Sequence, residues 1–270
     1  MSAKLCWAAD VKYLHEARKI VRSAGDYIDI VKVGPELLVG CGLPALDFGK
    51  PIFLDLKLHD IPETVERTIL RAGAHGQVMY MTIHAQQRAT MERAAEAAEK
   101  VGITLLCVTV LTSMTERDGQ ELDYQRTWPH DRAVRMIELA ISCGVKGFVC
   151  SPEEVSLLRK EAANSLFNQV DRKAEQLNLH PEPIPLLEEC KKTIGSEFTF
   201  VTPGIRSNTQ NTGSLQDQKR VGSPTRAVLE GSNILVVGRP IRDAANPTEA
   251  AEMIRLEMDN ARHYSEMNLD

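Results

Sequence analysis

Eight times along the chain a short apolar run gives way to a polar turn and then to apolar residues spaced three and four apart. No other feature narrows the fold as much. Strand-like and helix-like periods that alternate imply parallel strands, because a parallel return needs a crossover helix. The strand-like runs fall at 5–9, 28–33, 53–58, 78–83, 103–111, 147–150, 198–201 and 233–237. Between them lie helical stripes such as Leu14, Ala17, Val21 and Ala24, or Val65, Ile69 and Ala72 after Pro62, and an Ala-rich stretch at 88–101. Val134, Ile137 and Ile141 form another, and Ala250, Ile254 and Met258 a last one behind Asn246-Pro247. Eight such units with no second core predict a single-domain (β/α)8 barrel, the TIM barrel, over residues 1–270. A doubly wound open sheet is the competing arrangement, but no Gly-x-Gly-x-x-Gly follows the first strand.

Two regions break the rhythm. Residues 161–196 mix Gln, Asn, Glu and Lys with Pro181, Pro183 and Pro185, and read as an insertion between strands six and seven rather than a domain. Residues 207–222 hold almost nothing apolar and read as a mobile surface loop.

Charge and cysteine usage exclude several classes. A net charge of -5 gives no support to nucleic-acid binding, although local basic residues could still grip a phosphate. The six cysteines show no Cys-x-x-Cys spacing and read as reduced packing residues of a cytoplasmic protein. The first residues, Met1-Ser2-Ala3-Lys4, lack the apolar core of a signal peptide. No apolar run approaches the ~20 residues of a membrane span.

The third run carries the chemistry. In Phe53-Leu54-Asp55-Leu56-Lys57-Leu58-His59-Asp60-Ile61-Pro62, Asp55 and Lys57 stand two apart, so a regular strand projects them to one side near its C-terminal end. Charges inside a sheet covered by helices are costly unless paired. Asp60 falls in the turn before the next helix. Asp55 and Lys57 could equally form a structural ion pair, and Asp60 could cap that helix with Glu63 completing a capping box.

The other strand ends bring Asp10, Lys32, His84, Thr112, Arg206, Gly238 and Arg239 to the same face, where barrels place their active sites. Gly238-Arg239 after strand eight suits a phosphate: glycine lets a backbone N–H approach, and Arg offers a planar fork of donors. The loop after strand seven, with Gln218 and Arg220, could fold over that phosphate. His84 reads equally as a structural group or a catalyst. No His, Cys or Asp set has metal-ligand spacing, so no metal is expected.

Asp55-x-Lys57-x-x-Asp60 followed by Ile61-Pro62 resembles the signature of the orotidine 5'-monophosphate decarboxylase family. The similarity runs over nearly the whole chain. It includes Asp10, Lys32-Val33-Gly34, the segment from Val108 to Ser113, Val201-Thr202-Pro203-Gly204-Ile205-Arg206, and Val237-Gly238-Arg239-Pro240. Magnesium-dependent sugar-phosphate decarboxylases and aldolases of the same superfamily look similar at Asp-x-Lys-x-x-Asp, but typically carry Glu where Lys32 stands. A non-catalytic nucleotide-binding barrel is the other alternative, and a full Lys-Asp-Lys-Asp set has no evident purpose there.

The resemblance implies conversion of orotidine 5'-phosphate to UMP, the last step of de novo pyrimidine biosynthesis, without cofactor or metal. It implies a homodimer whose sites each borrow Asp60 and Thr64 from the other chain. On the same basis Lys57 is the proton donor to C6 and Asp55 sits against the substrate carboxylate. Lys32 and Asp10 hold the ribose hydroxyls, Ile61 and Pro203 belong to the binding set, and Thr112 borders the base. Gln218, Gly238 and Arg239 take the phosphate, with Arg206 at the base of that loop. The chain departs from the family's pattern in two places. Glu63 stands where many members have Asn, and the region 161–196 is longer than usual.

Overall fold

A computed structural model describes residues 2–122, 130–176, 197–206 and 222–267. Eight parallel strands close a barrel in chain order: β1 (Lys4–Ala8), β2 (Ile30–Val33), β3 (Ile52–Leu58), β4 (Val78–His84), β5 (Thr104–Val108), β6 (Gly147–Val149), β7 (Thr199–Thr202) and β8 (Ile234–Val237). Closure comes from β8 pairing back on β1, with Cys6 opposite Val236 and Trp7 opposite Val237. The (β/α)8 barrel expected from the alternation is the fold observed.

Period-two alternation divides each strand between two cores. Cys6, Ala8, Ile30, Phe53, Leu106, Val201, Ile234 and Val236 form a small cluster that fills the barrel. Their neighbours, among them Leu5, Trp7, Val31 and Val33, point outward into a larger core shared with the helices. That outer layer explains the helical stripes. In α1 (Leu14–Ala24) the buried residues are Ala17, Ile20, Val21 and Ala24, and the short α2 (Pro35–Cys41) buries Leu37. In α3 (Pro62–Gly73) they are Val65, Ile69 and Ala72. The helix α4 (Arg88–Val101) buries Met91, Ala94, Ala97 and Ala98, and Gly102 ends it at φ 71°, the left-handed cap that glycine adopts without strain.

The structure departs from the expected elements in three places. The fifth strand ends at Val108, not at 111; Val110 is still buried, but in a loop that folds over the barrel mouth. The polar stretch after it holds a short helix, α5 (Glu116–Glu121), because Thr115 accepts the Asp118 N–H while the Asp118 carboxylate accepts the Thr115 N–H. The region read as an insertion is helical in its first part. After α6 (His130–Ser142) and β6, one helix, α7 (Val155–Gln176), runs straight into it. The rest of that region, 177–196, and the loop at 207–221 lie outside the described residues. The chain closes with α8 (Pro224–Leu229), the single turn α9 (Arg239–Arg242) and α10 (Pro247–Met267). Among the described residues no helix is long and apolar enough to cross a membrane.

Candidate active site

The mouth of the barrel is built on an irregular end of β3. Leu54 pairs with Met81 of β4 and Leu58 with Ile83, so Asp55, Leu56 and Lys57 stand opposite Thr82 alone. This is a bulge, a device that re-aims side chains at barrel rims. Lys57 sits at its apex with φ 48°, the only non-glycine residue at positive φ among those described. Such a backbone costs about 1–2 kcal/mol for an L-residue and persists where its surroundings hold it. The expected pleat, with Asp55 and Lys57 simply two apart on one side, is thus replaced by a left-handed turn that directs Lys57.

Opposite charges alternate from this bulge across three strands. Lys57 Nζ donates to Asp55 Oδ2 at 2.7 Å, and Lys32 Nζ lies 3.4 Å from the same oxygen. Lys32 Nζ also donates to Asp10 Oδ1 at 3.1 Å. The other oxygen of Asp55 accepts the Thr82 hydroxyl at 2.9 Å. The set Asp10, Lys32, Asp55, Lys57 is formally neutral, which makes the burial of its middle pair, Lys32 and Asp55, tolerable. Burial alone would push the Asp55 carboxyl up, but Lys32 and Lys57 outweigh it and hold the group below the usual carboxylate range. Burial likewise pulls down the Lys32 ammonium, yet Asp55 and Asp10 leave it above its ordinary value. Below them, burial pushes the Cys6 thiol up, so it remains protonated.

A cavity of about 800 Å³ opens above this array. Asp10, Lys32, Asp55, Lys57, Thr112, Pro203, Arg206, Gly238 and Arg239, all expected from the sequence, line it. Among its lining side chains Lys32, Lys57, Arg206, Arg239 and Arg242 face Asp10, Asp55 and Asp243, so cations outnumber carboxylates and the space favours an anion. Arg206 Nη2 is buried there with no hydrogen-bond partner among the described residues. A Cβ at Gly238 would meet only Ala8 Cβ, at an ordinary 3.6 Å, so packing does not demand glycine at that point of the rim.

Asp60, Ile61 and Thr64 are not part of that lining. They sit exposed on the turn and first residues of α3, with Ile61 62 % exposed. Asp60 is not the helix cap; its Oδ1 accepts the Ile61 N–H at 2.7 Å, and Ile61 occupies the cap position without a side-chain cap. Glu63 completes no capping box and instead pairs with Arg67 on the exposed face of α3. His84 packs against His59 with ring centroids 5.9 Å apart. Burial, then His59 and Lys57, lower its pKa, against an opposing pull from Asp55. Gln218 and Arg220 lie outside the described residues. No group of three or more His, Cys, Asp or Glu side chains suited to a metal occurs among the described residues.

Arg242 and Asp243 in the lining, and Thr82 behind it, were not anticipated. Arg242 donates to the Asp10 carbonyl at 2.9 Å and grips both oxygens of Asp243, tying β8 to β1 beside the cavity. Its spacing of three from Arg239 on one helical turn was a usable signal. Thr82 had none, being an uncharged β-branched residue in a strand.

Known proteins resemble the chain over most of its length. The family model described as orotidine 5'-phosphate decarboxylase / HUMPS family matches residues 3–182 and 182–254. A protein named orotidine 5'-phosphate decarboxylase from Anaeromyxobacter dehalogenans is 36% identical over 259 residues, covering 94% of this chain and 97% of its own. One of the same name from Rhodopseudomonas palustris is 34% identical over 262 residues, covering 96% and 95%. The crystal structure of orotidine 5'-phosphate decarboxylase from Lactobacillus acidophilus superposes with a TM-score of 0.69 at 27% identity, over 95% of this chain and 99% of that one.

Proposed function

The chain belongs to the orotidine 5'-phosphate decarboxylase / HUMPS family, and from that membership we infer that it converts orotidine 5'-phosphate to UMP and CO2, the closing step of de novo pyrimidine biosynthesis. The observation that carries the assignment of roles is the alternation Asp10–Lys32–Asp55–Lys57, covered at Lys32 and Asp55 and open at either end, with contacts of 3.1, 3.4 and 2.7 Å, at the floor of a cation-rich cavity.

In the reaction the bond from C6 to the carboxylate breaks and its electron pair stays on C6. The pyrimidine ring delocalises this in-plane pair poorly, so the site must stabilise it by charge. Lys57 provides a fixed ammonium where that pair develops and then transfers a proton to C6, after which solvent reprotonates the amine. A charge held in place before the reaction is worth more in a dry cavity than in water. Asp55 fixes Lys57 on one side and faces the departing carboxylate. Lys32 and Asp10 hold the ribose hydroxyls, and Thr112 and Pro203 border the base. Arg206, Gly238 and Arg239 take the phosphate with Gln218. Phosphate binding, remote from the reacting bond, supplies energy to order these charges. The mechanism draws on no metal or cofactor.

Asp60, Ile61 and Thr64 complete the site of a second copy of this chain in a homodimer. Their exposure on the rim, outside their own cavity, supports this arrangement. A cytoplasmic setting is supported by Cys6, Cys41, Cys107, Cys143 and Cys150, none of which forms a disulfide among the described residues.

The test follows orotidine 5'-phosphate absorbance and trapped CO2 in buffer stripped of metals by a chelator. The reading requires one UMP and one CO2 per substrate consumed. No turnover, or turnover that returns only with added magnesium, overturns it.

A further inference from the structure

We propose that Thr82 is a positioning residue for decarboxylation, its hydroxyl setting both the left-handed backbone of Lys57 and the rotation of the Asp55 carboxylate. The proposal rests on the assignment of Lys57 as proton donor.

Thr82 is fully buried and stands alone on β4 against the three bulged residues of β3. Its Oγ1 accepts the Lys57 N–H at 2.9 Å and donates to Asp55 Oδ1 at 2.9 Å. Chemistry fixes both directions. A backbone N–H can only donate and an ionised carboxylate can only accept, so the link between them must do both, and a hydroxyl does. In a regular parallel ladder the Lys57 N–H would seek a carbonyl of β4. The bulge takes that partner away, and the hydroxyl replaces it. One oxygen therefore ties the backbone of the proton donor to the carboxylate that holds its ammonium. Loss of the hydroxyl would leave the Lys57 amide and one Asp55 oxygen without their buried partner. It would also release the only non-glycine left-handed residue among those described. Thr82 does not line the cavity, so its effect reaches substrate through Lys57 and Asp55.

Thr82→Val keeps the shape and removes the donor and acceptor; Thr82→Ser keeps them and removes only a methyl. A misplacement of about 1 Å behind a reacting group costs on the order of a hundredfold in rate. We expect Thr82→Val to lose about that much in kcat, with KM and UMP affinity changed less than about threefold, and Thr82→Ser to stay within about tenfold of wild type. A purely structural hydroxyl would lower melting temperature without that split between kcat and KM. Thr82→Val with wild-type kcat, or Ser and Val equally impaired, overturns the proposal. If Thr82→Val does not fold, Thr82→Ser decides: a folded Ser variant impaired beyond about a hundredfold overturns it, and one that stays active supports it. Wild-type protein assayed alongside separates the two claims. Its inactivity on orotidine 5'-phosphate overturns the functional reading and this one with it. Its activity beside an undiminished Thr82→Val overturns this one alone.

Discussion

Lys32 and Asp55 hold each other's charge from adjacent strands, with Lys32 Nζ 3.4 Å from Asp55 Oδ2 and side chains only 12% and 10% exposed. Neither group could stay ionised at that depth alone. Lys57 and Asp10, both more exposed, extend the pair at either end.

Asp55→Ala leaves two ammonium groups without their shared carboxylate. It should destabilise the protein by about 3 kcal/mol, the low end for a broken buried pair because Lys57 is partly exposed. Urea denaturation measures this. The Asp55 carboxyl is held below its ordinary 3.8, so its contribution is complete above that pH and lost as pH falls through the folded value. Lys32 is held above 10.5, so its contribution is complete below that pH and lost as pH rises through the folded value. The stability difference between wild type and Asp55→Ala should be flat around neutral pH and shrink at both the acid and the alkaline extreme. A difference that grows on acidification would contradict the pairing.

Arg239→Ala removes a donor fork from the cavity rim. UMP binding should weaken by about 1.5–3 kcal/mol, the range for hydrogen bonds to a charged group, as read by calorimetric titration. Unchanged affinity would take Arg239 out of the phosphate site.

Lys57→Ala and Asp60→Ala chains, each inactive alone, should regain part of the activity when mixed. In the heterodimer one site keeps both intact residues only if they come from different chains. No rescue, with subunit exchange demonstrated by mass, would show that each site is built within one chain.

Gly147→Ala tests the close approach of β5 and β6. A Cβ there would lie 2.5 Å from the Leu105 carbonyl oxygen and 2.6 Å from Leu106 Cδ2. Backbone cannot yield as a side-chain tip can, so a loss of about 1–3 kcal/mol is expected in thermal or urea unfolding. Wild-type stability would mean that the strands separate without cost.

The barrel could be read from the chain because its two periods are written in apolar residues, as in α1 and β1. The charged floor could be read because Lys32, Asp55 and Lys57 interrupt such runs and burial makes those interruptions expensive. The aiming of Lys57 could not. It depends on a bulge and on a backbone angle at a residue whose type does not favour it, held by a threonine that looks like any strand former. The long helix α7 carried a signal that its polar setting obscured. Ala162, Ala163, Leu166, Phe167, Val170 and Ala174 recur at helical spacing, but the Asn, Gln, Asp and Lys among them and Pro181, Pro183 and Pro185 beyond make the region read as an irregular insertion. The short helix α5 was signalled by Thr115 and Asp118, a cap pair set three apart within a stretch that otherwise reads as loop.

The central claim is that one ammonium, Lys57, carries the chemistry at this mouth. The direct measurement is turnover of orotidine 5'-phosphate by Lys57→Ala beside wild type, with circular dichroism and UMP affinity to show a folded site. We expect kcat to fall by at least about a thousandfold, given what a positioned proton donor and a preorganised charge each supply. A folded Lys57→Ala protein that binds UMP and still releases CO2 at a wild-type rate would contradict the account.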